Sequence, residues 1–167
     1  MIGPVIVVIV AGAATLGILF VLGMRAKSGL VLRPIIALSK AAINPRQLRT
    51  AGTPGAYAGI VRHRGRVSGR AYETPVGIVA AGDAFLIALP YGTRAQWARN
   101  VLASGSAALV TEGCTYEVDR AELVPMDAVI DAFPEGDRRG FRLLKTDQCV
   151  RLHRVRPPAL AELPATA

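Results

Sequence analysis

The amino-acid sequence predicts an α+β fold, mainly β with helices: a small antiparallel barrel of about six strands, preceded by an N-terminal transmembrane helix. Three observations lead to this expectation. The chain begins with a long uncharged run, strand-like runs recur between turn signals from residue 56 to residue 156, and helical patterns interrupt them at only a few places. With 167 residues, the chain has room for one domain of ordinary size and an appendage.

The first element is an apolar run of 23 uncharged residues from Ile2 to Met24. As a helix it is about 34 Å long, enough to cross a hydrocarbon core of about 30 Å. A cleaved signal peptide is the alternative, but it requires a basic region before the apolar run, whereas here Arg25 and Lys27 follow it. Residues 1–27 are therefore expected to form an uncleaved membrane anchor with its basic flank.

The positive charge is concentrated at the start of the chain. Residues 1–72 contain ten Lys or Arg and no Asp or Glu, whereas residues 73–167 contain ten basic and twelve acidic residues. This pattern suits an anionic membrane surface, an anionic ligand, or both. The positive-inside rule predicts a single-pass membrane protein whose C-terminal domain faces the cytoplasm. Nucleic acid is not expected as a partner, because the few aromatic residues do not interleave with the arginines.

Residues 28–55 are expected to form an amphipathic and linker segment. Within it, residues 34–43 suit a short helix with Pro34 in its first turn, either in the membrane interface or as a cap on the core. The barrel domain is expected from residue 56 to residue 156. The small-residue stretch 157–167 is expected to be a flexible tail.

Turn signals divide this domain into its elements. The predicted strands are 56–62, 72–80, 84–89, 107–111, 115–124 and 149–155. The third is almost entirely apolar, which is typical of a strand buried on both faces. Helical patterns lie at 94–103, with Thr93 as N-cap, and at 125–133, while 137–144 is ambiguous and suits a second short helix.

One stretch with the residue types of an anion site is the basic turn, residues 62–70, which contains four arginines, one histidine, one serine and two glycines. Arginine supplies charge and forked donors, and glycine lets the backbone turn tightly. The alternative is a solvated basic hairpin loop.

A second candidate segment is residues 91–100. In a helix, Trp97 and Asn100 are three residues apart and share a face, which suits packing and hydrogen bonding against a planar heterocycle. The helix amino terminus at Thr93 and Arg94 favours an anionic group. The alternative is that Trp97 is a core residue and Asn100 a helix-end polar residue.

Other chemistries lack their motifs. His63 and His153, with Cys114 and Cys149, have no metal-ligand spacing, and the two cysteines are expected to be reduced, partly buried thiols. Ser68 does not lie in a nucleophile elbow, and no dinucleotide fingerprint or P-loop occurs. No metal and no covalent catalytic residue are therefore expected.

The two segments together resemble a known family. Residues 64–69, Arg-Gly-Arg-Val-Ser-Gly, followed by Thr74-Pro75, are similar to the G-R-x-S/T-G…P signature of deazaflavin-dependent nitroreductases and quinone reductases. Residues 97–102, Trp-Ala-Arg-Asn-Val-Leu, resemble the same family's W-x-x-N-L segment. The resemblance covers about residues 50–156. It implies a split β-barrel that binds reduced coenzyme F-420, a deazaflavin with a phosphate and a glutamate tail.

The resemblance also implies a site and a reaction. Residues of the basic turn hold the phosphate and tail, and residues of the second segment lie beside the rings: Arg64, Gly65, Arg66, Ser68 and Gly69, then Tyr91, Gly92, Thr93, Arg94, Trp97 and Asn100. Hydride then passes to a quinone such as a menaquinone, a nitro compound or another lipophilic acceptor. The chain departs from the pattern in its short loop from Gly92 to Trp97, and in having only Phe133 and Phe141 where nitroimidazole-reducing members carry tyrosines.

Two alternatives stay open at this point. The same barrel suits FMN as its cofactor, and the same arginines suit a non-catalytic, membrane-tethered module that binds an anionic ligand. The sequence does not predict the oligomeric state.

Overall fold

The computed structural model describes residues 2–38, 41–42 and 44–155, so the predicted tail lies outside the described residues. Its strands form one antiparallel sheet. They are β1 (Ala58–Arg64), β2 (Ala71–Gly77), β3 (Val79–Ala81), β4 (Ala84–Ala88), β5 (Ala107–Thr111), β6 (Cys114–Pro125) and β7 (Gln148–Arg154). Their order across the sheet is β2-β1-β5-β6-β7-β4-β3.

The sheet curls until its two edges approach each other. Strands β2 and β3 lie at opposite edges, yet only Ile78 separates them along the chain. Side chains from near both edges, Val61 of β1 and Phe85 of β4, meet in one buried cluster with Leu109 and Leu152. This curl gives the inner core, and it confirms the predicted α+β class with an antiparallel sheet.

The strand count differs from the prediction, because the single strand expected over 72–80 is two strands. Strand β2 pairs with β1, whereas β3 pairs with β4. The chain therefore changes its hydrogen-bonding partner at Ile78 and crosses from one edge of the sheet to the other. Side-chain alternation does not reveal this change, since it records burial and not the partner strand.

Strand β4 is buried on both faces, as its apolar run predicted. Phe85 and Ile87 belong to the inner cluster. Leu86 points the other way, into a second cluster with Met126 and Phe133. The second cluster attaches the segment that follows β6 to the outside of the sheet.

Five helices accompany the sheet in the described part of the chain. They are α1 (Ile2–Arg25), α2 (Gly29–Leu38), α3 (Asn44–Gln47), α4 (Gln96–Ser104) and α5 (Glu135–Leu143). The helix expected over 125–133 is instead two 3₁₀ turns, Met126–Ala128 and Ile130–Ala132. Pro34 lies inside α2 and not in its first turn, because α2 begins at Gly29.

The predicted transmembrane helix is not confirmed. Over the part of the chain that the structure describes, no single helix is long and apolar enough to cross a membrane. Ala13–Arg25 and Gly29–Leu38 meet the length and composition required only as a pair, and a bend of 96° separates them.

The carboxyl end of α1 contacts the domain. The Arg25 guanidinium donates to the Leu143 carbonyl oxygen at 3.2 Å. The Lys27 ammonium donates to the Pro90 carbonyl oxygen at 3.0 Å, and desolvation at this contact lowers the pKa of Lys27. The basic flank of the apolar run therefore hydrogen-bonds to carbonyl groups of the folded domain.

The two cysteines are free, but they differ in exposure. Cys149 is buried in β7, and burial raises the pKa of its thiol to about 12. Cys114 is exposed at the turn between β5 and β6, not partly buried as expected.

Candidate functional site

The main candidate site is a cavity of about 1040 Å³. Its wall is formed by part of the basic turn, strand β2, most of the segment from Ala88 to Trp97, and parts of α2, α3, α4 and α5. It is large for a ligand site, since most occupy about 300–1,000 Å³. Two regions of this wall differ in chemistry, and they lie toward opposite ends of β2.

The first region is the basic end, formed by Gly65, Arg66, Ser68, Gln96 and Asn100. Arg66 is its cation. The Arg66 backbone N–H and its Nη1 donate to Asn100 Oδ1 at 3.2 and 2.9 Å, and Nη1 also donates to Gln96 Oε1 at 3.0 Å. These partners are neutral, and within residues 44–155 no carboxylate forms an ion pair with Arg66. Its positive charge is thus available to an anionic ligand.

Arg64 lies outside the cavity wall, although its sequence context is the same. Successive side chains of a strand point to opposite faces. In β1, Val61 and His63 are buried while Arg62 and Arg64 are exposed. The Arg64 guanidinium donates to the Gly69 carbonyl oxygen at 3.2 Å and so closes the turn from outside.

A buried polar chain supports the basic end from below. Asn100 Nδ2 lies 3.2 Å from His63 Nδ1, and His63 Nε2 lies 3.2 Å from Thr74 Oγ1. The His63 ring stacks on Tyr72 at 5.7 Å between centroids. Burial lowers the pKa of His63, so the ring is neutral at neutral pH.

Gly65 leaves room for two side chains that pack over the turn. A Cβ there would lie 2.5 Å from Ser68 Oγ and 2.9 Å from a Tyr72 ring carbon, so a side chain at this position would displace Ser68 and Tyr72. Ser68 Oγ lies 3.3 Å from the Tyr72 hydroxyl. Gly69 has a φ of 66°, which favours glycine, but it does not line the cavity.

The second predicted segment, residues 91–100, lines the same cavity. Trp97 both lines the cavity and packs against the inner core, so the two alternatives considered for it are compatible. Tyr91, Gly92 and Arg94 also line the cavity. Thr93 does not, and it is not the N-cap, because α4 begins at Gln96 after Ala95. Arg94 consequently precedes the helix and does not share its face.

The second region is the aromatic end, formed by Ile36 of α2, Tyr57, Phe133, Asp137 and Phe141. The Tyr57 hydroxyl donates to Asp137 Oδ1 at 3.2 Å, and desolvation followed by the Asp137 charge raises the pKa of Tyr57. Phe133 and Phe141 meet edge to face at 5.2 Å. The far end of β2, at Gly77, lies beside Tyr57.

The length of the cavity can be estimated from strand β2, whose residues lie along its wall. Tyr72 lies near the basic end and Gly77 near the aromatic end, five residues further along the strand. At about 3.3 Å per residue, the two ends are about 17 Å apart. An elongated ligand with one anionic end matches this shape and charge distribution.

Eight of the eleven predicted site residues line this one cavity. They are Gly65, Arg66, Ser68, Tyr91, Gly92, Arg94, Trp97 and Asn100. Arg64, Gly69 and Thr93 do not. Sequence reasoning missed His63, Tyr72 and Tyr57; side-chain alternation in β1 was a signal for His63, because that residue shares its face with Val61.

Comparison with protein-family models finds no match, and comparison with curated proteins finds none either.

Solved structures give weak similarities. A candidate 5-nitroimidazole antibiotic resistance protein from Bacteroides thetaiotaomicron has a TM-score of 0.43 at 10% identity, over 61% of this chain and 75% of that one. A candidate pyridoxamine 5′-phosphate oxidase from Listeria innocua has a TM-score of 0.41 at 8% identity, over 60% and 85%. An F420 reductase has a TM-score of 0.43 at 14% identity, over 65% and 92%. Similarities at this level do not show that this chain shares the fold or the function of these proteins.

Proposed function

We propose that this protein is an oxidoreductase that holds a planar cofactor with an anionic tail in the cavity between its basic end and its aromatic end. More particularly, we propose that the cofactor is the reduced deazaflavin coenzyme F-420, and that the hydride acceptor is a lipophilic molecule such as a menaquinone. The observation that carries this proposal is the convergence of both sequence motifs, the basic turn and the Trp97–Asn100 segment, on one cavity.

The residues of the basic end fit the anionic part of such a cofactor. Arg66 is held in place by two neutral amides, so its charge is not already neutralised. The Ser68 hydroxyl adds a second donor, and Arg94 adds a further positive charge on the same wall. A hydrogen bond to a charged group contributes about 1.5–3 kcal/mol, so two or three such contacts give substantial affinity.

The middle of the cavity fits a ring system. Trp97 offers an aromatic face that is fixed by packing against the core. Apolar side chains around it, among them Val76, Ile78 and Leu89, exclude water from the rings. When bound, a reduced deazaflavin supplies the hydride, and the protein provides binding, orientation and a dry environment.

The aromatic end is proposed as the acceptor site. Phe133, Phe141 and Ile36 provide an apolar surface for a quinone ring or an isoprenoid chain. Asp137 carries a negative charge at this end, which disfavours anionic acceptors.

Membrane association is part of the proposal. It is supported by the apolar run of α1 and by exposed apolar side chains on α1 and α2, such as Phe20, Leu30 and Leu38. The excess of basic residues after α1 supports a cytoplasmic domain. Ile36 of α2 lies on the cavity wall, so a lipid-soluble acceptor bound there would be next to the membrane-associated segment.

The test uses the full chain in lipid nanodiscs. Binding of oxidised F-420 and of FMN is measured separately by fluorescence titration, and reduced F-420 is then mixed with a menaquinone while its reoxidation is followed. We expect micromolar or tighter F-420 binding and acceptor-dependent reoxidation.

Two results would contradict the proposal in different ways. Tight FMN binding without F-420 affinity would favour a flavin enzyme on the same fold. Tight F-420 binding without turnover on quinones or nitro compounds would favour a ligand-binding module that is not catalytic.

A further inference from the structure

The buried polar chain under Arg66 has only one consistent arrangement of hydrogens. The Arg66 backbone N–H and guanidinium can only donate, so the Asn100 atom that faces them is the oxygen, Oδ1. The Asn100 amide nitrogen, Nδ2, therefore faces His63 Nδ1 and donates to it. Consequently His63 Nδ1 carries no proton, and the ring proton is on Nε2, where it is donated to Thr74 Oγ1.

This arrangement requires neutral His63. A protonated ring would present N–H groups on both sides and would place a donor against the Asn100 amide nitrogen. Asn100 would then have to rotate its oxygen toward His63. That rotation would turn an NH₂ group toward the two Arg66 donors, and Arg66 would lose both hydrogen bonds to Asn100.

Burial opposes protonation of His63, because desolvation outweighs a backbone hydrogen bond at Arg64 that favours the charged ring. Arg66 from the turn is the nearby cation, the Arg64 guanidinium is on the exposed side, and β2 contributes the Tyr72 phenol. Gln96 and Asn100 from α4 are neutral. Glu73 of β2 is paired with Arg62 on the exposed side, and within residues 44–155 no carboxylate hydrogen-bonds to the His63 ring.

We propose that His63 is a positioning residue for the anion site: the neutral ring fixes the Asn100 amide so that Arg66 faces the ligand, and protonation of the ring releases Arg66. The inference rests on the proposed function in that it takes the basic end to be the anion-binding end of the cavity. It adds a regulated property to that site, namely weaker binding of anions in acid.

The direction of the pH dependence distinguishes this positioning role from direct binding of the anion by His63. If His63 were a direct ligand for the anion, its protonation would add a positive charge, and affinity would rise as pH falls. A positioning role predicts the reverse. The stability of the folded state should follow the same trend. Folding lowers the pKa of His63, so the neutral ring contributes stability above the ordinary pKa near 6.5. That contribution is lost as the pH falls through the lowered pKa.

The experiment uses NMR on the full chain, ¹⁵N-labelled, in lipid nanodiscs. The ring nitrogen shifts of His63, assigned by comparison with His63→Asn, report its tautomer without any ligand. Sulfate is then titrated in steps from about pH 7.5 to about pH 5, and the Arg66 backbone amide reports binding. Sulfate serves as the probe because its charge is constant over this range.

We expect the Nε2–H tautomer at neutral pH and sulfate affinity that falls by up to about tenfold per pH unit below the His63 pKa. His63→Asn keeps an acceptor near the position of Nδ1 but does not titrate, so it should retain affinity within about threefold and lose the pH dependence. His63→Leu removes the acceptor and should weaken binding at every pH. His153→Asn changes the other histidine, which lies outside the cavity wall, and should keep the wild-type pH dependence.

Three results would overturn the inference: an Nδ1–H tautomer, affinity that rises in acid, or affinity that is flat with pH in the wild type. The tautomer measurement on the wild type is decisive even if a variant is poorly folded. Failure of F-420 and FMN to bind, with the sulfate result intact, would remove the proposed function and leave the role of His63 standing.

Discussion

At the basic end of the cavity, a chain of hydrogen bonds runs from Thr74 through His63 and Asn100 to Arg66, whereas the aromatic end is formed by side chains of α2, α5 and the segment before β1. Three of the four residues in this chain of hydrogen bonds belong to two adjacent strands and their turn. The aromatic end instead depends on the relative positions of two helices, α2 and α5, and of the segments that precede β1 and α5.

This difference predicts how the two ends respond to change. Hydrogen bonds are directional, so the basic end should tolerate little alteration in residue type. Apolar packing is less directional, and volume-conserving changes cost little. We therefore expect substitutions that remove a hydrogen-bonding group at the basic end to weaken recognition of an anion, and those at the aromatic end to alter acceptor preference.

The largest expected effect is at Arg66. Arg66→Ala removes a charge and should lower affinity for F-420, or for sulfate, about ten- to a hundredfold, since a charged hydrogen bond contributes about 1.5–3 kcal/mol. Arg64→Ala removes an equal charge two residues away but on the exposed side, and it should change affinity less than about threefold. Fluorescence titration of both variants measures the contrast. Equal losses would mean that the outward face of β1 also contacts the ligand.

An intermediate effect is expected at Phe141. Phe141→Ala removes the edge-to-face contact with Phe133, and it should raise KM for a menaquinone about tenfold while leaving F-420 affinity within about twofold. The free energy of unfolding should fall by about 1–2 kcal/mol, because the side chain is only partly buried. Leu143→Ala on the same helix is the matched control, as its side chain is 54% exposed. A loss of cofactor affinity in Phe141→Ala would show that the two ends are not independent.

The smallest effect is expected at Tyr57. Tyr57→Phe removes the hydrogen bond to Asp137 but keeps the ring on the cavity wall. Because both groups reach solvent, the bond contributes little, and KM for the acceptor should change by at most about twofold. Steady-state kinetics with a quinone would check this. A large fall in kcat with KM unchanged would instead indicate that the Tyr57 hydroxyl takes part in the reaction.

Several features of this protein were determined by sequence patterns alone. The third apolar run predicted a strand buried on both faces, and the glycines of the basic turn predicted a tight reversal between β1 and β2. The two motifs identified eight residues that line one cavity. Such patterns predict local structure because each depends only on residues a few positions apart in the chain.

Only the tertiary structure decided which arginine faces the cavity and what holds it there. Arg66 and Asn100 are 34 residues apart, and they meet because the curl of the sheet brings α4 against the turn. The change of partner strand at Ile78 and the start of α4 after Thr93 also depend on pairing and packing that no local pattern records. Arg64 and Arg66 thus acquire different roles although they are two residues apart: β1 directs the Arg64 side chain to its exposed face and ends there, whereas Arg66 lies in the turn beyond the strand and lines the cavity.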